Sequence, residues 1–94
     1  MFVLVLKYIK SLEEVDKELI SHIEYLEKYY TLQKFICSGR RDPRIGGVIL
    51  CRASNKEEVE TIIKEDPFYF KQIAEYDIIE FSPTKYAEGF ERFL

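Results

Sequence analysis

At two places in this chain an apolar run is followed at once by a helix start. Phe2 to Ile9, interrupted only by Lys7, is rich in Val, Leu and aromatics and reads as a strand buried on both faces. Ser11 and Glu14 behind it form an S-x-x-E capping box, which satisfies two backbone donors that the first helical turn leaves orphaned. The pattern returns further on: Gly47 to Ala53 reads as a strand, and Asn55 with Glu58 three residues later opens a second helix. Strand then helix, twice over, leaves a chain of 94 residues few ways to fold.

The remaining elements fit around these two units. Leu12, Val15, Leu19, Ile23, Leu26 and Tyr30 recur at spacings of three and four, which predicts one long helix from Ser11 with a single apolar stripe. Glu13, Lys17, Glu24 and Lys28 fall on its other face as Glu13–Lys17 and Glu24–Lys28 pairs. Phe35 to Arg41 is a strand joined to the next by the hairpin connector Asp42-Pro43-Arg44-Ile45-Gly46. The second helix buries Val59, Ile62 and Ile63 and ends before Pro67, because a residue preceding proline is pushed out of the α region. Asp66 as N-cap and Pro67 in the first position then restart a short helical turn through Phe70. Tyr76 to Ser82 is the last strand, Pro83 ends it, and Tyr86, Phe90 and Phe93 give the tail an amphipathic pattern.

The order β-α-β-β-α-β predicts an α+β, ferredoxin-like domain over residues 1–94 with a four-stranded antiparallel sheet. The first and third strands are central in that topology, and they are the most apolar here. Helices cover only one face of such a sheet. The uncovered face carries alternate apolar residues of Phe2–Leu6 and Val48–Ala53, and an exposed patch of that kind marks an interface. A homodimer with sheets packed face to face is therefore expected. The composition agrees: 47% hydrophobic and 15% aromatic residues is rich for a chain that hides only about 60–65% of its unfolded surface.

Other classes are excluded on chemistry. A formal charge of −3 suits neither nucleic acid nor an anionic membrane. Val48-Ile49-Leu50-Cys51-Arg52 lacks the aromatics on which an RNA-recognition sheet stacks bases. Gly46-Gly47 is a turn and no phosphate cradle. No apolar run nears the ~20 residues of a membrane span, and the N-terminal stretch has neither the basic leader nor the cleavage site of a secretory signal. Cys37 and Cys51 have no metal-ligand spacing. The expectation is a cytoplasmic protein with buried, unreactive thiols, no metal and no cofactor.

Several segments together resemble the YCII-related (YciI-like) family across nearly the whole chain. They are Ser21-His22-Ile23-Glu24-Tyr25-Leu26; Phe35 to Arg44 running into Gly46-Gly47-Val48-Ile49-Leu50; Glu65-Asp66-Pro67-Phe68; and Tyr76 to Phe81 with Pro83-Thr84-Lys85-Tyr86. The resemblance implies a dimeric α/β-barrel assembly and a cleft holding His22 and Asp66, the expected catalytic pair; Ser38, Gly39, Arg40 and Phe68 are the residues expected to bind substrate. It also implies that some relatives carry out elimination on chlorinated hydroxylated aromatics. Many relatives have proline where Arg40 follows Gly39, so the rim of this cleft is expected to be more basic than theirs.

The residues themselves leave each role open. His22, the one histidine, is placed about 60° from the centre of the apolar stripe, where helix meets sheet. It is either a boundary residue that makes one hydrogen bond or a proton-transfer group, since imidazole titrates near neutrality. Asp66 is either a cap alone or a cap whose other oxygen orients the imidazole. Ser38 lacks any nucleophile elbow and lines the pocket beside Gly39, whose missing side chain lets a ligand approach the backbone. Arg40, Arg41 and Arg44 are a solvated hairpin end or an anchor for a carboxylate or phenolate. Without a nucleophile, a His–Asp pair suits proton abstraction or elimination. Two functions follow: a small-molecule enzyme of lyase or isomerase type on an anionic or phenolic substrate, or a non-catalytic metabolite-binding or accessory domain.

Overall fold

Strand alternation organises the molecule. A computed structural model describes residues 1–94. In β1 (Phe2–Tyr8), Phe2, Leu4 and Leu6 are at most 2% exposed, whereas Val3 and Val5 stay half-buried. One face is thus finished and the other is not, which corrects the expectation that both are buried. β1 pairs antiparallel with β3 (Gly46–Cys51) and β4 (Ala74–Glu80), and β2 (Phe35–Arg40) adds outside β3. The sheet order β2-β3-β1-β4 is the ferredoxin-like α+β arrangement, with the two most apolar strands central as expected. β4 begins two residues earlier than Tyr76, because Ala74 and Glu75 still pair with Tyr8 and Lys7. Gly46 is required where β3 crosses β1: a Cβ there would meet the Leu6 carbonyl oxygen at 1.7 Å.

The long first helix is two helices. α1 (Leu12–Lys17) and α2 (Leu19–Thr31) meet at Glu18, whose backbone leaves the helical region at φ −104°, ψ 3°. The break changes which face of α2 is buried. His22, Tyr25 and Tyr29 turn into the core, while Ile23, a member of the expected stripe, is 46% exposed. The Ser11 cap forms, with its Oγ accepting from the Glu14 N–H at 3.3 Å, but the Glu14 side chain turns to Lys17 at 3.1 Å. Neither expected charge pair is made: Lys17 binds Glu14, and Lys28 reaches Glu65. α3 (Lys56–Ile63) follows its signals closely. Asn55 Oδ1 accepts from Glu58 N at 2.9 Å, Glu58 Oε1 accepts from Ser54 N at 2.7 Å, and Val59, Ile62 and Ile63 are buried. α4 (Pro67–Phe70) is the short turn behind Asp66.

The cysteines part company. A bulge between Phe35 and Cys37 places Cys37 opposite Leu50, exposed on the open face, while Cys51 sits buried beside Phe35. Burial pushes the Cys51 thiol up to about 11. Only one of the two thiols is thus the buried group expected. The tail ends in a short 3-10 turn, Phe90–Phe93, with Tyr86, Phe90 and Phe93 in an aromatic row. No helix is long and apolar enough to cross a membrane.

Candidate functional site

Asp66 is where the chain's local signals and its tertiary packing meet. The residue before Pro67 is extended (φ −77°, ψ 121°), so its side chain folds back over the first turn of α4. Oδ1 accepts the Phe68 N–H at 2.9 Å, as a cap should, and meets His22 Nδ1 at 2.8 Å. Oδ2 accepts the hydroxyl of Tyr76 from β4. The carboxylate is completely buried and carries the donors His22, Phe68 and Tyr76. Cap and orienter are therefore compatible, although one oxygen serves both, because a carboxylate oxygen accepts more than one bond.

His22 lies deeper than its place on the helix implies. Its side chain is 11% exposed, and the Phe68 ring stacks on it with centroids 4.0 Å apart and planes 2° from parallel. With an acceptor-only carboxylate on one side, Nδ1 carries the proton. Nε2 has no protein partner. Tyr25 Oη is the only sealed side-chain polar atom without one, so Nε2 keeps contact with solvent.

His22 also lines a cavity of about 180 Å³ between α2 and the sheet, together with Leu6, Tyr8, Ser38, Gly39, Arg40 and Phe68 among others. Ser38, Gly39, Arg40, Phe68 and His22 are thus brought together, and Asp66 stands behind the imidazole. Leu19, Ile23 and Leu26 also line the cavity, so the apolar stripe read from the sequence forms a wall of this hollow. Two members differ from expectation in how they contribute. A Cβ on Gly39 would meet nothing within 4 Å, and Gly39 pairs with Val48 of the open face, so it lines the cavity with its backbone and its missing side chain makes no room there. Phe68 is 1% exposed and acts chiefly as the platform under the imidazole.

Two tyrosines join the site without any sequence expectation. Tyr76 holds Asp66, and its phenol is raised well above the usual tyrosine range by burial and by the charges of Tyr25 and Asp66. Tyr25, raised by burial and then by the Asp66 charge, has a hydroxyl with no hydrogen-bond partner. Tyr76 acts on its titration from nearby but commits its own proton to Asp66. Next door, Glu65 binds Lys28 and the Tyr29 hydroxyl, which tie α2 to the α3–α4 corner and hold the Glu65 carboxyl below its ordinary range. Of the hairpin arginines, Arg44 is taken up by Asp16 at 2.6 Å, while Arg40 and Arg41 make no ion pair.

Larger clefts lie elsewhere. One of about 460 Å³ runs between Lys34, Arg52, Pro83 and Phe93, but it holds no buried acid–base pair. No group of three or more His, Cys, Asp or Glu side chains is placed to hold a metal ion.

Comparison with known proteins speaks to the family and to the fold. The family model described as the YCII-related domain matches residues 1–82. No curated protein matches the chain. Among solved structures, the chain is similar to 5-chloro-2-hydroxyhydroquinone dehydrochlorinase from Burkholderia phenoliruptrix, in complex with 2,5-dihydroxybenzoquinone. The TM-score is 0.70 at 19% identity, over 87% of this chain and 94% of that one. At that identity the likeness is one of fold.

Proposed function

The chain belongs to the YCII-related family, and we propose that it is a small-molecule enzyme of lyase or isomerase type acting on an anionic or phenolic substrate. His22 transfers the proton, and Asp66 positions it. The observation that carries this reading is the 2.8 Å contact between His22 Nδ1 and Asp66 Oδ1 beside a cavity, with Nε2 unpartnered. With Nδ1–H given to the carboxylate, the Nε2 lone pair takes a proton from a substrate hydroxyl or activated carbon. The electron pair left behind expels a leaving group with its bonding electrons, or returns to another carbon of the ring. The resulting imidazolium is stabilised by Asp66 and returns its proton to product or water.

The similar dehydrochlorinase acts, by its name, on a substituted hydroquinone, so halogenated hydroquinones are the first substrates to try. Once turnover is found, His22→Ala is expected to lower kcat by about 10²–10⁴-fold, and Asp66→Asn by a comparable factor. Activity that survives both substitutions removes the dyad. The rival reading, a binding or accessory domain, draws on the 11% exposure of the His22 side chain. It gains if a ligand raises the melting temperature and nothing is turned over.

We also propose that the open sheet face pairs with a second copy of the chain. Val3, Val5, Val48, Leu50 and Ile79 form an apolar surface there with no covering helix. Equilibrium sedimentation at micromolar concentration is expected to return twice the mass of 11.2 kDa, and a stable monomer overturns the pairing.

A further inference from the structure

We infer that the His22 cavity selects a single six-membered ring bearing a carboxylate, seated on Arg40 and Ser38, with Tyr30 setting the direction of the Ser38 hydroxyl. This deepens the reading of the cavity as a ligand site and rests on it. Charge is the first argument. Arg40 is the only permanently charged residue that lines the cavity, and no Asp or Glu does. It makes no ion pair, whereas Arg44 of the same hairpin is taken up by Asp16, and the equally unpaired Arg41 does not line the cavity. A guanidinium stays charged at any working pH and offers paired donors that match a carboxylate.

Register supplies the second argument. Ser38 pairs with Ile49 and Arg40 with Gly47, and these in turn face Leu4 and Leu6, which point toward the helices. Both side chains therefore stand on the cavity side of β2, about 6–7 Å apart along the strand. Gly47 opposite Arg40 has no side chain to fill the gap. Ser38 Oγ lies 2.6 Å from the Tyr30 hydroxyl. A phenol is the stronger acid of the two, so Tyr30 donates and Ser38 accepts, which leaves the Ser38 hydrogen free to point at a ligand oxygen.

Size and ionisation narrow the ligand. A cavity near 150 Å³ lined by apolar side chains holds benzene, so about 180 Å³ holds one ring with its substituents. Leu6, Leu26 and Phe68 offer that ring apolar contact. A phenol with a tyrosine-like pKa near 10 is uncharged at pH 7, whereas a carboxylate is ionised, so the unmatched guanidinium favours the carboxylate.

The test uses the full chain and probes matched in size: benzoate, benzamide and benzylamine. The single histidine gives the site its own NMR reporter. Benzoate is expected to shift the His22 resonances and to bind about tenfold or more tighter than benzamide, with benzylamine weaker still. Arg40→Gln, at an exposed position, is expected to fold normally and bring benzoate down to the affinity of benzamide. Tyr30→Phe is expected to weaken benzoate about threefold. The inference is overturned if benzamide matches benzoate, if the preference survives Arg40→Gln, or if benzoate leaves His22 undisturbed. A charge preference without turnover of any substrate keeps this inference and removes the lyase reading. Turnover of hydroquinones with no carboxylate preference does the reverse.

Discussion

The two faces of the sheet are built from the same strands and end in opposite conditions. On the helix side, Phe2, Leu4, Ile49 and Cys51 are at most 2% exposed, and the polar groups His22 and Asp66 are paired with each other. On the open side, Val48 and Ile79 remain 38% and 49% exposed. A period of two sends every second residue to each face, so one strand sequence must serve both. The candidate site gathers on the finished face, where His22, Ser38 and Arg40 line a cavity of about 180 Å³. There a ligand can meet groups whose positions are already held by packing.

A cavity opened in the finished face has the largest effect. Leu4→Ala should cost about 2–5 kcal/mol in urea unfolding, and Val5→Ala about 1 kcal/mol or less in dilute protein. Equal costs would mean that the open face is already covered. A concentration-dependent cost at Val5 would locate the cover in a second copy.

The cysteines give a native probe of each face. Cys37 should react with a thiol reagent at once, and Cys51, buried and with its thiol pushed up to about 11, roughly a hundredfold more slowly or only on unfolding. Similar rates would show that the helix face opens readily.

Alkaline titration tests the polar part of the finished face. Tyr25 and Tyr76 have folded-state values raised above the ordinary 10.0, chiefly by burial. Their contribution is complete below pH 10. As pH rises beyond 10 the unfolded chain ionises first, and stability falls by up to about 1.4 kcal/mol per pH unit for each phenol kept neutral. Ionisation of Tyr25 and Tyr76, followed residue by residue in NMR, should therefore appear only with unfolding; phenolate at either residue in the intact fold at pH 10 would contradict it. The smallest effect is expected on the open face, where Val48→Asp should change monomer stability by about 0.5 kcal/mol or less while abolishing self-association in sedimentation.

Much of the framework was readable because its signals are local. Ser11, Asn55 and Asp66 each cap the turn that follows them, and each does so with a side chain two or three residues from its partner. The His–Asp pairing was implied by resemblance alone, since 44 residues separate its members. The expected stripe holds in part, since Val15 is buried and Leu19, Leu26 and Tyr30 pack against the core while Leu12 and Ile23 are exposed; the stripe stays in phase across Glu18, so the break there leaves no mark in the periodicity. A second stripe was present: His22, Tyr25 and Tyr29 are also spaced by three and four. Its polar atoms suit a core only because Asp66 and Glu65 meet His22 and Tyr29 across the fold. Tyr76 had no signal at all, being one aromatic in an ordinary strand.

Sequence alone determined the order of elements, the two central strands and the Asp-Pro cap, because hydrophobic period and capping chemistry act over a few residues. Tertiary structure decided which side of α2 faces inward, that Tyr76 holds Asp66 from the far strand, and that a bulge turns Cys37 outward. Those outcomes depend on register and on pairings across tens of residues. Their energies exist only once the strands have met.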